Sequence, residues 1–158
     1  MDFGRSGKLG SGFDAWVSTL KNRIEVLPGV NYVGMVSHEN LTKEYAKAGF
    51  ILYPTTYPET GCVTLMKAMS AGAIPITSRY ESSTLPELTG SFDLGPREAL
   101  RSDMSSTELM IWKRKYIQSV IDHVQQNLQG FRAEMKTRSR ERFAWKHVAK
   151  LWSETFAE

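Results

Sequence analysis

The run Phe50-Ile51-Leu52-Tyr53 is apolar at every position and is closed by Pro54, which predicts a strand buried on both faces. Such a strand needs sheet neighbours and helices over both sides, so it constrains everything around it. Upstream, Phe13, Trp16, Val17, Leu20, Ile24 and Leu27 recur at helical spacing and predict a helix over 13–27, ended by Pro28-Gly29. Val30 to Val36 reads as a short strand, with Ser37 as the N-cap of a helix carrying Leu41, Tyr45 and Ala48. Downstream, Cys62 to Ala71 predicts a buried helix with Gly72 just past its end. Ala73 to Ser78 is a further strand, whose Pro75 confines pairing to one side or one end. Ser82 to Leu88 reads as a short helical or turn segment, and Phe92 to Leu94 as a last short strand.

Beyond this point the pattern is helical. Ser105-x-x-Glu108 forms a capping box, and Met110, Ile117, Val120, Ile121, Val124 and Leu128 keep helical spacing until Gly130, which is expected to break it. A final helix places Trp145, Val148, Ala149, Trp152 and Phe156 on one face. Strands alternating with helices predict an α/β fold with a Rossmann-like parallel sheet. The expected layout is one domain over 1–158, with an α/β core at 1–98 and two C-terminal helices within 104–158.

With 41% hydrophobic and 23% charged residues, the chain can bury a real core, which excludes a disordered tail. No apolar run approaches the ~18 residues of a membrane span, and the N-terminus lacks the apolar core of a signal peptide. The one cysteine, Cys62, excludes an intramolecular disulfide and a Cys-based zinc cluster. A reducing, cytoplasmic compartment is the expectation. The net charge of +3 is uneven: Arg132 to Lys150 holds seven basic residues against two acids. Arg142, Lys146 and Lys150 lie away from the aromatic stripe, as on a solvated face rather than a nucleic-acid or membrane surface. His38, His123 and His147 lack metal-ligand spacing. Gly10-Ser-Gly-Phe-Asp-Ala15 matches a dinucleotide fingerprint, but no adequate strand leads into it.

The chemistry concentrates between Tyr53 and Ser78. A buried strand ends, a polar loop presents Glu59, and a helix starts with Thr60-Gly61-Cys62-Val63. The free N–H groups of a first helical turn favour an anion, and Gly61 lets a ligand approach the backbone. In doubly wound sheets ligands bind outside the carboxyl ends of the strands, where this loop falls. A carboxylate beside an anion cradle suits a ligand with phosphates and sugar hydroxyls. Cys62 at a helix start has either a lowered pKa or a packing role, with no His partner evident.

Pro54, Glu59, Gly61, Ala68-Met69, Ala71-Gly72 and Pro75 with its following apolar pair resemble the C-terminal, donor-binding domain of GT-B glycosyltransferases, in particular the retaining family 4. Val30 to Ser37, Leu41 and Tyr45 upstream, and Phe143-Ala-Trp-Lys-His-Val-Ala149 downstream, extend the resemblance over roughly residues 30 to 152. The resemblance implies a metal-independent glycosyltransferase with a UDP- or GDP-sugar as donor and no other cofactor. It makes Glu59 the catalytic carboxylate, holding hydroxyls of the transferred sugar. The turn Thr60, Gly61, Cys62, Val63 and Thr64 would hold the diphosphate.

Two positions depart from the family. Its second glutamate falls on Lys67, which cannot accept hydrogen bonds; Lys67 is either a phosphate contact or a solvated lysine. Ahead of the first helix only Met1 to Gly4 remain as a second-strand remnant, unless Gly4-Arg5-x-x-Lys8 is the family's phosphate pair. Either way one βα unit is lacking, so completion by a missing N-terminal half or another chain is expected, and the acceptor is unknown. The reading from another class is a noncatalytic nucleotide-sugar or partner-binding module with a degenerate site.

Overall fold

Two strands and seven α-helices form among the described residues, 11–157, of the computed structural model. Met1 to Gly4, Arg5, Lys8 and Gly10, and with them the readings placed there, lie outside the described residues. The chain falls into two units, up to Ser37 and from His38 onward.

In the first unit, α1 spans Ser11–Glu25, the helix that the spacing predicts but two residues earlier at each end than 13–27. Phe13 and Trp16 on its apolar stripe have ring centroids 5.8 Å apart. The chain turns through Leu27 N–H on the Ile24 carbonyl (3.1 Å) and Val30 N–H on the Leu27 carbonyl (3.2 Å). The strand expected at Val30 to Val36 does not form. Gly34 takes φ +63° in its middle, which breaks the extended run, and no strand among the described residues pairs with it.

The second unit runs α2 (His38–Lys47), β1 (Phe50–Tyr53), α3 (Val63–Ala71), β2 (Ile74–Thr77), α4 (Leu85–Thr89), then α5 (Ser106–Val124), α6 (Gln129–Phe143) and α7 (Trp145–Thr155). It is a mixed α/β arrangement, mostly helical. β1 and β2 pair in parallel, Phe50 opposite Ile74 through Tyr53 opposite Thr77, with α3 as the crossover between them. β2 is buried at every position, but β1 is only half-buried and Leu52 is 51% exposed. The burial on both faces expected of Phe50 to Tyr53 is therefore not met. β2 is the only strand beside β1 among the described residues, and Phe50, Ile51 and Tyr53 pack against the core while Leu52 does not.

Pro75 sits in β2 without cost to the ladder. Ile74 N–H reaches the Gly49 carbonyl of the β1 side at 2.9 Å, while Pro75 presents its carbonyl to the opposite edge, where Leu94 N–H donates at 3.0 Å. The expected strand at Phe92 to Leu94 is absent; Gly90–Phe92 forms a 3₁₀ turn instead. A side chain takes over the ladder. Asp93 Oδ1 accepts Thr77 N–H (3.0 Å) and Gly95 N–H (2.8 Å), and Oδ2 accepts the Thr77 hydroxyl (2.6 Å). Gly95 is required there, since a Cβ would come within 2.2 Å of the Thr77 carbonyl.

α3 buries Leu65, Ala68 and Met69 against Ile74, Leu85, Leu88 and Met135. It ends in a Schellman motif: Gly72 N–H on the Met69 carbonyl (3.0 Å) and Ala73 N–H on the Ala68 carbonyl (2.9 Å). A second cluster joins Ile76, Leu100, Trp112 and Tyr116. Here Trp112 Nε1 donates to the Glu98 carbonyl (3.0 Å) and Tyr116 Oη to the Ile76 carbonyl (2.8 Å).

The C-terminal region holds three helices rather than the expected two. The capping box at Ser105 forms in both directions, but the break falls between Val124 and Gln129, and Gly130 lies in the first turn of α6, where it disturbs little. The basic segment has a structural use. Arg132 Nη2 donates to the Ala46 and Ala48 carbonyls (3.0 Å each), Arg140 Nε to Ser70 (2.9 Å), and Arg142 Nη1 to Glu87 and Leu88 (3.1 and 3.2 Å). Three arginines of one helix thereby satisfy the terminal carbonyls of α2, α3 and α4, which lack intrahelical donors. Arg142, expected on a solvated face, is exposed and is also one of them.

Candidate functional site

β1 and β2 deliver two loops to the same end of the sheet, at their carboxyl termini. The first, Pro54 to Cys62, is shaped by Thr55 Oγ1 accepting Tyr57 N–H (3.1 Å) and by Glu59 N–H on the Tyr57 carbonyl (2.9 Å). The second, Ser78 to Thr84, is tied to it. Ser78 Oγ donates to the Thr55 carbonyl (2.6 Å), and the Glu59 carbonyl accepts Thr84 N–H (2.8 Å) and Thr84 Oγ1–H (3.0 Å). The backbone of Glu59 is therefore clamped from the β2 side.

Its carboxylate is fixed from β1. Tyr53 Oη donates to Glu59 Oε1 at 2.7 Å. That bond is the main reason the Tyr53 phenol is held well above its ordinary pKa, with burial as the second. Glu59 itself is half-buried. The loop then enters α3 with Cys62 as the N-cap residue, without a side-chain cap.

The remaining residues expected at the site line up along this entry. Thr60, Gly61 and Thr64 are exposed. A Cβ at Gly61 would meet no atom within 4 Å, and Gly61 has no positive φ, so neither packing nor backbone conformation demands a glycine there. Val63 N–H is turned onto the Gly61 carbonyl (3.1 Å), and the helical ladder starts with Met66 N–H on the Cys62 carbonyl (3.1 Å). The Thr64 and Leu65 N–H groups between them have no acceptor among the described residues. The Cys62 thiol is buried at 4% exposure in the core cluster, the packing role of the two considered. Lys67 is exposed one turn on and lines, with Val63, a groove that Glu59, Thr60 and Gly61 do not reach.

Several residues at this end escape a motif-based reading. Tyr53 orients Glu59, Ser78 and Thr84 join the loops, and Asp93 with Arg79 stiffens the β2 exit. Arg79 adopts φ +46°, rare for a side-chain-bearing residue. It is held by Nη2 donating to the Asp93 carbonyl (2.9 Å) and by an ion pair of Nε with Asp93 Oδ2 at 3.3 Å. Asp93-Leu-Gly95 is the one sequence signal available, an Asx turn.

No family model matches the chain, and no curated protein matches it. Among the described residues, no group of three or more His, Cys, Asp or Glu is placed to hold a metal ion. No helix among them is long and apolar enough to cross a membrane.

Proposed function

We propose that the turn from Glu59 to Thr64 binds a UDP- or GDP-sugar, as the donor site of a retaining, metal-independent glycosyltransferase. On this reading the second unit is the Rossmann-like C-terminal half of a GT-B fold, and another domain or chain supplies the site for an unknown acceptor. One observation carries it. A carboxylate already oriented by Tyr53 stands immediately ahead of the α3 N-terminus, at the carboxyl end of a parallel strand pair, over a glycine the protein itself does not require.

Glu59 accepts hydrogen bonds from the sugar hydroxyls. The Thr64 and Leu65 amides and the positive end of the α3 dipole face the diphosphate, stabilising charge that grows as the sugar–phosphate bond breaks. Lys67, where the family has its second glutamate, favours the alternative of a noncatalytic binding module, so turnover has to be tested separately from binding.

Donor binding is measured by calorimetry, and sugar release from the donor by product analysis, on three proteins. Gly61→Ala should melt like the unsubstituted chain yet bind the donor at least about tenfold more weakly, because the methyl occupies the approach to the amides. Glu59→Gln should fold normally, since Tyr53 can still donate to the amide oxygen, and should lose sugar release. Binding without release in the unsubstituted chain selects the noncatalytic module. Unchanged binding in Gly61→Ala refutes the site.

A further inference from the structure

A groove of about 780 Å³ runs between α2, α3, α6 and α7, inside the range of about 300–1,000 Å³ typical of small-molecule sites. Its apolar lining comes from Val63 and Met66 of α3, Phe143 at the end of α6, and Trp145 and Val148 of α7. Trp145 is 83% exposed on its lip. Three cations line the same groove, Lys67, Lys136 and Arg140, and no Asp or Glu does. Lys67 and Lys136 make no hydrogen bond or ion pair among the described residues. Arg140 commits its Nε to the Ser70 carbonyl and keeps its terminal nitrogens.

The lining sets two demands on an occupant. An apolar body removes the five hydrophobic side chains from water, and a head of more than one negative charge answers three cations that have no acidic partner among the described residues. A carboxylate supplies one charge; a phosphate monoester carries about −1.5 to −2 and three acceptor oxygens. We infer that this groove binds a single-chain lipid phosphate, with its acyl or alkyl chain against Met66, Phe143 and Val148 and its phosphate between Lys67, Lys136 and Arg140. The inference does not rest on the donor-site reading, because Lys136, Phe143 and Val148 take no part in that site.

The test uses the full chain and dodecyl phosphate held below its micelle-forming concentration, followed by calorimetry and tryptophan emission. Saturable one-to-one binding is expected, weakened about tenfold on shortening the chain by two methylenes to decyl phosphate. Inorganic phosphate alone and dodecanol alone should each bind far more weakly. Lys136→Gln should weaken dodecyl phosphate at least about tenfold while Lys136→Arg retains it, since the charge-assisted contact survives in one and not the other. Val148→Asp should abolish binding; Lys136→Gln, on a half-exposed side chain, keeps the test decisive should that variant fail to fold. Equal binding of dodecanol, or no effect of Lys136→Gln, overturns the inference. So does a response confined to phosphatidylglycerol vesicles, which makes a bilayer surface the occupant, and so does no binding at all.

Discussion

Replacing Arg132 by methionine tests whether the basic helix α6 is a clamp on its neighbours. Arg132 Nη2 donates to both the Ala46 and Ala48 carbonyls at 3.0 Å, at the end of α2. A hydrogen bond from a charged group contributes about 1.5–3 kcal/mol, and a cation at a helix C-terminus adds about 0.3–1 kcal/mol. The two bonds do not count equally. The contact with Ala46 is exposed, so water replaces it; the contact with Ala48 is partly buried, and there the loss is felt. Methionine keeps most of the aliphatic packing. The net expectation is a loss of about 2 kcal/mol, or roughly 4–8 °C in melting temperature for a chain of this length. Urea denaturation of both proteins gives the value, and hydrogen exchange should show the α2 amides losing protection first. Arg132→Lys should recover part of the loss, because a single ammonium matches the pair of carbonyls less well than the planar fork. A change below about 0.5 kcal/mol for Arg132→Met, the level of an ordinary surface substitution, refutes the clamp.

Three further perturbations follow from the same structure. Asp93→Ala strips acceptors from Thr77 and Gly95 and removes the ion pair of Arg79, whose Nη2 keeps only the main-chain carbonyl at that position; a loss of about 3–5 kcal/mol is expected in urea denaturation, and under 1 kcal/mol would deny the network a structural role. Gly95→Ala drives a methyl onto the Thr77 carbonyl and should cost about 1–3 kcal/mol or more, read as a lowered melting temperature, whereas Gly61→Ala should not move it. The Tyr116 phenol is pushed up chiefly by burial. A raised folded-state pKa means stability is intact below the ordinary tyrosine value near 10 and falls as pH climbs through it toward the folded value. Tyr116→Phe should flatten that alkaline decline in denaturation measured across the range, and an unchanged slope refutes the assignment.

Where a feature depends on neighbours in sequence, it was legible there. The capping box at Ser105 and Glu108 forms with both reciprocal bonds, because its groups are three residues apart whatever surrounds them. Gly72 ends α3 in the left-handed conformation for the same local reason. β1 and β2 fall within a residue of their expected bounds, since apolar runs closed by Pro54 or a turn have few other uses. The loop from Glu59 into α3 was legible as well; the hand of Tyr53 on Glu59 was not, because it comes from a strand whose pairing sets where that phenol points.

The sequence by itself determined the local grammar: where α2 and α5 start, where α3 stops, and that Phe50 to Tyr53 and Ile74 to Thr77 are strands. Only the tertiary structure decided that Val30 to Val36 stays unpaired, that Asp93 substitutes for a strand, and that α6 exists as a packed helix. α6 shows the reason most clearly. Its buried positions are only Met135 and Ser139, so its apolar periodicity is weak. Its arginines Arg132, Arg140 and Arg142 turn onto the ends of other helices because those ends carry carbonyls in need of donors, and that need exists only once α2, α3 and α4 have been brought together.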